Sequence, residues 1–181
     1  FTSYSNAGLF APGHAYAWSS PAAPKILLRS LWKGDQALRL KLNADPRFWR
    51  WMWRFWNECT AERAARNTVR KLRLCNYAQT VFHETVARTG IAYDGRDGGL
   101  LYLYRSPAGL AAAVNKSKLL RDNGCRIDLL DGDGVAARDP ALAQVKNRIA
   151  GALYAPGDES GDCRLFARNM AAWLRGQGVT F

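Results

Sequence analysis

A polar, glycine-containing stretch near the start of the chain organises its interpretation: Thr2-Ser3-Tyr4-Ser5-Asn6-Ala7-Gly8-Leu9-Phe10-Ala11-Pro12-Gly13. The stretch has neither a helical nor a strand period, so it cannot supply one face of a core. Gly8 and Gly13 allow backbone angles closed to other residues and let a ligand come close. Hydroxyl and amide groups that donate and accept hydrogen bonds are present at Thr2, Ser3, Ser5 and Asn6. Composition alone leaves two interpretations open, an ordinary surface loop and a loop that exposes its backbone to a polar cofactor.

The spacing of these residues carries a family resemblance. Ser3-x-x-Asn6-Ala7-Gly8, followed by Pro12-Gly13, resembles the loop after the second strand of the flavin domain in the D-amino acid dehydrogenase family. These are FAD enzymes of the wider D-amino acid oxidase and glycine oxidase group. In that family the loop passes along the ribityl chain and ring of the flavin. The resemblance implies flavin neighbours, partly through backbone groups, at Thr2, Ser3, Ser5, Asn6, Ala7, Gly8 and Leu9.

A second stretch strengthens this resemblance. Gly151-x-Leu153-x-x-Pro156-x-Asp158-Glu159-x-Gly161-Asp162-Cys163-x-x-Phe166 keeps the order of residues found in the family. Between the two stretches, the segment from Tyr93 to Arg105 is similar to the hairpin of the family's substrate domain. Two departures are Leu9, where relatives often carry a polar residue, and Ala152, which replaces a glycine.

The resemblance implies an α+β fold with an antiparallel or mixed sheet covered by helices. This would be the substrate domain of a two-domain flavoprotein without its Rossmann phosphate loop. We expect residues 1–24 to be a loop derived from the flavin domain, 25–178 the substrate (cap) domain, and 179–181 the start of a strand that returns to the flavin domain. The phosphate-binding G-x-G-x-x-G unit would precede this chain, and the arginine that pairs the substrate carboxylate would follow it. An internal piece of this kind is expected neither to hold FAD tightly nor to turn over alone.

The implied reaction is hydride transfer from the α-carbon of an amino acid to N5 of FAD. The imino acid then hydrolyses to a 2-oxo acid and ammonia, and electrons pass to a quinone-type acceptor. The cofactor performs the redox chemistry, while the protein positions the substrate. No general base is visible in the sequence, so the catalytic residues stay unassigned.

Composition narrows the alternatives. The chain has 181 residues, 48% of them hydrophobic, which is enough for a real core. Its four cysteines contain no C-x-x-C pair and its two histidines are far apart, so no metal site is expected. Such scattered cysteines are typical of reduced thiols in a cytoplasmic protein. The net charge of +11 would allow a basic nucleic-acid-binding module, although the resemblance makes nucleic acid an unexpected partner.

The most unusual stretch is Asp45–Cys59, D-P-R-F-W-R-W-M-W-R-F-W-N-E-C. Asp45 is a good helix cap and Pro46 a good first residue. At 100° per residue the three arginines of the helix share a narrow stripe opposite a broad aromatic face. Three roles stay open: a helix laid on the core of its own domain, an interfacial helix on anionic lipid through Phe48–Trp56, and a stacking surface for single-stranded nucleic acid. The second would place the protein peripherally on the inner face of the cytoplasmic membrane.

Other patterns predict helices at Lys25–Trp32, Ala61–Thr89, Pro107–Asn123 and Cys163–Arg175, with Ser106 and Asp162 as the caps of the last two. Strands are predicted at Ala37–Leu42, Cys125–Leu130, Ile149–Tyr154 and Val179–Phe181. A turn is predicted at Gly34–Asp35. Ile91–Tyr93 and Leu100–Arg105 should form a hairpin around Asp94-Gly95. Aromatic and imidazole groups that could line a substrate pocket are His14, Tyr16, Tyr102 and Tyr104. His83 is interpreted as structural because no partner lies at ligand spacing.

One motif is misleading. Gly132-Asp133-Gly134-Val135-Ala136-Ala137 matches the G-x-G-x-x-A fingerprint of a dinucleotide fold. The acidic side chains of Asp131 and Asp133 would repel a pyrophosphate, and Pro140 ends the following helix early. We therefore interpret this segment as a short helix and not as a phosphate loop.

Overall fold

The computed structural model of the protein describes residues 6–30 and 43–181. These divide into two compact units, one assigned to Phe1–Ala15 with Arg73–Phe181 and the other to Tyr16–Leu72. The predicted strand Ala37–Leu42 and the turn Gly34–Asp35 lie outside the described residues. The domain boundaries implied by the family resemblance stay a prediction.

The larger unit is built on a three-stranded antiparallel sheet. Its strands are β2 (Leu100–Tyr104), β3 (Asp128–Leu130) and β4 (Gly151–Ala155), in the order β2-β4-β3. Every residue of the central β4 is buried. Helices α4 (Pro107–Arg121) and α5 (Gly132–Arg138) pack against these strands. The predicted α+β class, an antiparallel sheet covered by helices, is confirmed.

Local capping chemistry explains where these helices begin and end. Ser106 accepts a hydrogen bond from the Gly109 amide at the start of α4, and Gly124 ends that region with a φ of +88°. The Asp131 carboxylate accepts from the Gly134 amide at 2.8 Å, which caps α5. A 3-10 helix, Pro140–Arg148, follows α5. The amide that a phosphate loop would offer to a ligand is therefore already bonded, in agreement with our rejection of that motif.

The predicted hairpin around Asp94-Gly95 is wrong. Asp94 does turn the chain, with a φ of +52°. However, β2 pairs with β4 and not with residues 91–93. The preceding segment instead bonds to a distant one: the Tyr93 carbonyl accepts from the Asp162 amide, and Arg96 bridges to Ser160. A tertiary partner has replaced the local one that the turn signal suggested.

Two further strand predictions, Cys125–Leu130 and Val179–Phe181, are wrong in part and in whole respectively. Residues 125–127 precede β3 without joining it, so only the second half of the predicted Cys125–Leu130 strand forms. Residues 179–181 are in no strand. Whether that segment leads back to a flavin domain stays a prediction.

Three short elements complete the larger unit. They are β1 (Leu9–Phe10), β5 (Glu159–Ser160) and α6 (Cys163–Gly176). β1 and β5 form an antiparallel pair. As the sequence predicts, the Asp162 side chain caps α6 by accepting from the Leu165 amide at 2.8 Å.

The smaller unit is helical in its described part. It contains α1 (Ala23–Arg29), α2 (Pro46–Asn57) and the first part of α3 (Ala61–Thr89), within which the division between the units falls. Asp45 caps α2 as predicted. Glu58, between α2 and α3, accepts from Arg63 and Asn67. Within residues 6–30 and 43–181, no helix combines the length and apolar character needed to cross a bilayer.

Candidate functional site

The two stretches that carry the family resemblance lie side by side in the larger unit. Residues 6–14 run antiparallel to residues 158–163. Leu9 is paired with Ser160 and Phe10 with Glu159. The Gly161 amide donates to the Gly8 carbonyl at 2.8 Å, which extends the pairing beyond the strands. A segment that has no secondary-structure signal of its own is thus held by a partner about 150 positions away.

The glycines of the first stretch permit this close approach. Gly8 has a φ of +60°, and a Cβ built on it would lie 1.9 Å from the Gly161 carbonyl oxygen. A Cβ on Gly13 would lie 2.5 Å from the Ala155 Cβ and 2.8 Å from an Asp158 carboxylate oxygen. Side chains cannot be accommodated at such distances. The sequence suggested that these glycines admit a ligand, whereas the neighbours that require them here belong to the chain itself.

The Asn6 carboxamide joins the loop to the start of α6. Its Oδ1 accepts from the Gly8 amide at 2.7 Å and from the Cys163 thiol at 2.6 Å. Cys163 is the first residue of α6, directly after the capping Asp162. The side chain therefore fixes both the turn of the loop and its position against the helix.

Beside this loop is a cavity of about 710 Å³. Its lining includes Asn6, Gly8 and Leu9 of the loop, a wall of aromatic rings, and apolar side chains of α6. Phe82 is the centre of that wall, with its ring 4.5 Å from Phe10, 5.0 Å from Tyr93 and 5.1 Å from Phe166, centroid to centroid. This volume falls within the ordinary range of small-molecule sites, and an apolar wall with few polar groups is typical of them.

Comparison with known families shows which family the chain belongs to. The sequence model of the FAD dependent oxidoreductase family matches residues 2–181. The chain belongs to that family. FAD is the family's cofactor, as the resemblance implied.

The chain is also similar to a curated relative, D-amino acid dehydrogenase 2 of Mesorhizobium japonicum. The two are 42% identical over 181 residues, which cover 99% of this chain and 44% of the relative. The chain therefore spans less than half the length of that protein. No solved structure matches the chain.

The residues around the cavity are compatible with FAD, the cofactor of this family. An aromatic wall suits a flat ring system, and the Asn6 carboxamide and the nearby backbone supply polar groups at the rim. Among the predicted flavin neighbours, Thr2, Ser3 and Ser5 lie outside the described residues. Asn6, Gly8 and Leu9 line the cavity, and Ala7 lines a polar depression next to it.

The predicted substrate-pocket residues are partly brought together. His14 stacks on Tyr102, with ring centroids 5.2 Å apart and planes 16° apart. Tyr104 lies on the same strand, two residues along, and therefore on the same face of the sheet. Tyr16 belongs to the smaller unit, where its carbonyl accepts from Lys71. Their role in substrate binding stays a prediction.

Asp158 is a buried acid that joins the loop to the sheet, a role that the sequence did not indicate. It is 1% exposed, and its carboxylate accepts from the Gly13 amide and from the Tyr102 hydroxyl, both at 2.7 Å. Burial raises the pKa of Asp158, although these two hydrogen bonds act in the opposite direction. Burial and the bond to Asp158 raise the pKa of Tyr102 well above its usual value. No local pattern signals this role, because the partners of Asp158 are remote in sequence.

A second acid, Glu159, explains the position of His83. The side chain of Glu159 is almost fully buried and lies 2.7 Å from His83 Nε2, and Gln79 donates to the same carboxylate. The sequence interpretation of His83 as structural found no acidic partner, because the partner is 76 positions away. Phe82, on the same helix, forms the cavity wall, so this pair orients α3 beside the loop.

Proposed function

We propose that this chain is part of an FAD-dependent D-amino acid dehydrogenase. The enzyme would convert D-amino acids to 2-oxo acids and ammonia and would pass electrons to a quinone-type acceptor. The observation that carries the proposal is the 42% identity with a protein named D-amino acid dehydrogenase 2, maintained over 99% of the chain. Because the chain spans 44% of that relative, the proposal concerns the full-length protein in which this chain occurs.

In this proposal the loop would contact FAD, and the bound cofactor would supply the acceptor for the hydride of the substrate α-carbon. Its described members Asn6, Ala7, Gly8 and Leu9 would act together with Thr2, Ser3 and Ser5. The bonds from Gly161 to Gly8 and from Cys163 to Asn6 hold the loop in one conformation, so binding would not have to order it. The aromatic wall around Phe82 would exclude water.

We assign the substrate side to His14, Tyr102 and Tyr104, with Tyr16 as a further candidate. The Tyr102 hydroxyl is bonded to Asp158. We therefore expect Tyr102 to shape the pocket with its ring and not to transfer a proton. The Asp158 carboxylate would fix both Tyr102 and the Gly13 end of the loop. Asp158 is a positioning residue in this proposal.

The acceptor determines the location that we propose. Quinones dissolve in the membrane, so an enzyme that reduces them must reach the lipid surface. We place the protein on the cytoplasmic side, in peripheral contact with the inner face of the membrane.

The test uses the full-length flavoprotein under anaerobic conditions. Addition of D-alanine, or of another member of a D- and N-methyl amino acid panel, should bleach the long-wavelength absorbance of oxidised flavin. The matching L-amino acids serve as the control. Reoxidation should be slow in air and fast with a quinone. A protein that carries no flavin, or one bleached equally by L-amino acids, would overturn the proposal.

A further inference from the structure

Helix α2 presents an unusually aromatic surface to solvent. Its tryptophans are 49–67% exposed, at Trp49, Trp51, Trp53 and Trp56. No residue of α2 is buried, and the half-buried side chains of Phe48, Met52 and Phe55 share the side of the helix that faces away from the arginines. Exposed apolar patches of this kind on a protein surface indicate a binding partner.

The face is continued by the segment before α1. Trp18 is 68% exposed and lines a shallow depression with Trp51, Arg54 and Phe55. Trp51 also stacks on Phe55, with ring centroids 5.4 Å apart. At 100° per residue the tryptophans of α2 flank its three arginines, with Trp51 on one side and Trp49, Trp53 and Trp56 on the other. We call the exposed set Trp18, Trp49, Trp51, Trp53 and Trp56 the aromatic face. It therefore extends beyond a single helix.

The charge of α2 is entirely positive. Arg47, Arg50 and Arg54 fall within one stripe at 100° per residue, and no acidic residue occurs from Pro46 to Asn57. The flanking acids are engaged elsewhere: Asp45 accepts from the Arg47 backbone amide, and Glu58 accepts from Asn67 at 2.8 Å. The partner of this surface should accordingly be anionic.

The composition of α2 favours contact with a lipid surface over packing in a protein core. Its apolar residues are tryptophan, phenylalanine and one methionine, with no leucine, isoleucine or valine. Helix α6 has the opposite character, since Leu165, Met170 and Leu174 accompany its single tryptophan. Tryptophan rings concentrate at the boundary between headgroups and acyl chains, where their N–H group can stay hydrated. Arginines beside such a face reach the lipid phosphates.

We propose that the aromatic face and its arginine stripe form the surface that docks the protein on an anionic phospholipid membrane. The helix lies in the plane of the headgroups, with the tryptophan rings inserted and Arg47, Arg50 and Arg54 directed to lipid phosphates. The inference deepens the membrane location proposed above. It is independent of the substrate and of the redox reaction.

The experiment is co-sedimentation of the full-length flavoprotein with vesicles of phosphatidylcholine alone or with added phosphatidylglycerol. Binding is expected only with the anionic lipid. Trp49→Ala/Trp53→Ala should weaken it roughly tenfold or more through lost apolar burial. Arg47→Gln/Arg50→Gln/Arg54→Gln should weaken binding roughly 100-fold, because each arginine near an anionic surface adds about 1 kcal/mol to the binding free energy. Tyr77→Ala, which removes an exposed aromatic ring from α3, is the matched control and should bind as the parent does.

Flavin content and turnover with a soluble dye acceptor are measured on the same samples. A variant that loses vesicle binding but keeps the parental turnover with the dye supports the proposal. If the tryptophan variant fails to fold, the arginine variant decides the question. The proposal is overturned if the parent protein does not bind anionic vesicles, including the case in which a second copy covers the aromatic face. It is also overturned if both variants bind these vesicles as the parent does. Vesicle binding that depends on α2 in a protein without D-amino acid turnover would remove the proposed function and leave this inference standing.

Discussion

At the scale of single residues, the candidate site depends on contacts between positions that are remote in sequence. Gly8 accepts from Gly161, and Gly13 donates to Asp158, so each glycine is matched to a partner about 150 positions along the chain. A Cβ at either glycine would clash with that partner. The backbone of the loop is therefore fixed by sterics and by hydrogen bonds together.

Gly8→Ala should lower the free energy of unfolding by about 2–4 kcal/mol. The cost combines a left-handed backbone for alanine with a Cβ that meets the Gly161 carbonyl. Gly157→Ala is the matched control, because a Cβ there meets nothing within 4 Å. It should change stability by less than about 0.5 kcal/mol. Urea denaturation of both variants checks this, and equal stabilities would contradict the close contact at Gly8.

Tyr102 should make the protein less stable in alkaline solution. Its pKa in the folded protein is raised above the ordinary value of 10.0 by burial and by its bond to Asp158. The unfolded chain therefore releases this proton first, and unfolding free energy falls as pH rises above about 10, by up to roughly 1.4 kcal/mol per pH unit. Below that pH the contribution is fully present.

Tyr102→Phe should thus show a shallower alkaline loss of stability than the parent. At neutral pH it should be less stable by about 1–3 kcal/mol, because the buried Asp158 loses a donor. Denaturant midpoints measured across the alkaline range test both effects. Tyr77→Phe changes an exposed tyrosine and should keep the parental slope. If Tyr102→Phe loses stability with pH as steeply as the parent, deprotonation of Tyr102 is not the cause of the alkaline loss.

At the scale of elements, α6 begins where the site is most crowded. Its cap, Asp162, directly follows Gly161, which bonds to the loop, and precedes Cys163, which bonds to Asn6. The Asp162 amide also donates to Tyr93. The start of this helix therefore links the loop, the β5 strand and the segment before β2.

Asp162→Ala should destabilise the protein by about 1 kcal/mol through loss of the helix cap. Asp162→Asn retains an oxygen acceptor and should restore most of that loss. Asp133→Ala, at an exposed pair with Lys146, should leave stability near that of the parent. Thermal unfolding of the three variants provides the comparison. An alanine variant as stable as the asparagine variant would rule out a capping role.

At the scale of the whole molecule, the chain holds the cavity and the loop that we propose as part of a flavin site. FAD needs in addition a cradle of backbone N–H groups for its pyrophosphate, which the fold family provides at a G-x-G-x-x-G turn. In this chain the similar Gly132–Ala137 segment is closed by the bond from Gly134 to Asp131. The described residues therefore offer contacts to the ring more readily than to the phosphates.

We expect this chain alone to bind FAD no more tightly than the micromolar range. Fluorescence titration of FAD against the isolated chain measures the affinity, and the full-length flavoprotein is the positive control. Sub-micromolar binding by the isolated chain would show that its own residues hold the cofactor without a phosphate cradle.

The sequence by itself determined the local structure where one short segment contains all the necessary signals. Asp45, Ser106 and Asp162 cap the helices they were predicted to cap, and α3 has the predicted bounds. The α+β class and the FAD-dependent family followed from the resemblance of two stretches of the chain to a known family. Helix caps and periodicities act over a few residues, so a linear sequence displays them directly.

Only the tertiary structure decided which segments become partners. The Asp94-Gly95 turn predicted a hairpin, yet β2 pairs with β4 while Tyr93 and Arg96 bond to residues 160–162. The sequence equally contained no sign of the roles of Asp158 and Glu159 at the site, because their contacts span from about 55 to about 145 positions. Such pairings depend on which distant surfaces bury each other, and hydrogen bonds are satisfied by whichever partner burial brings close.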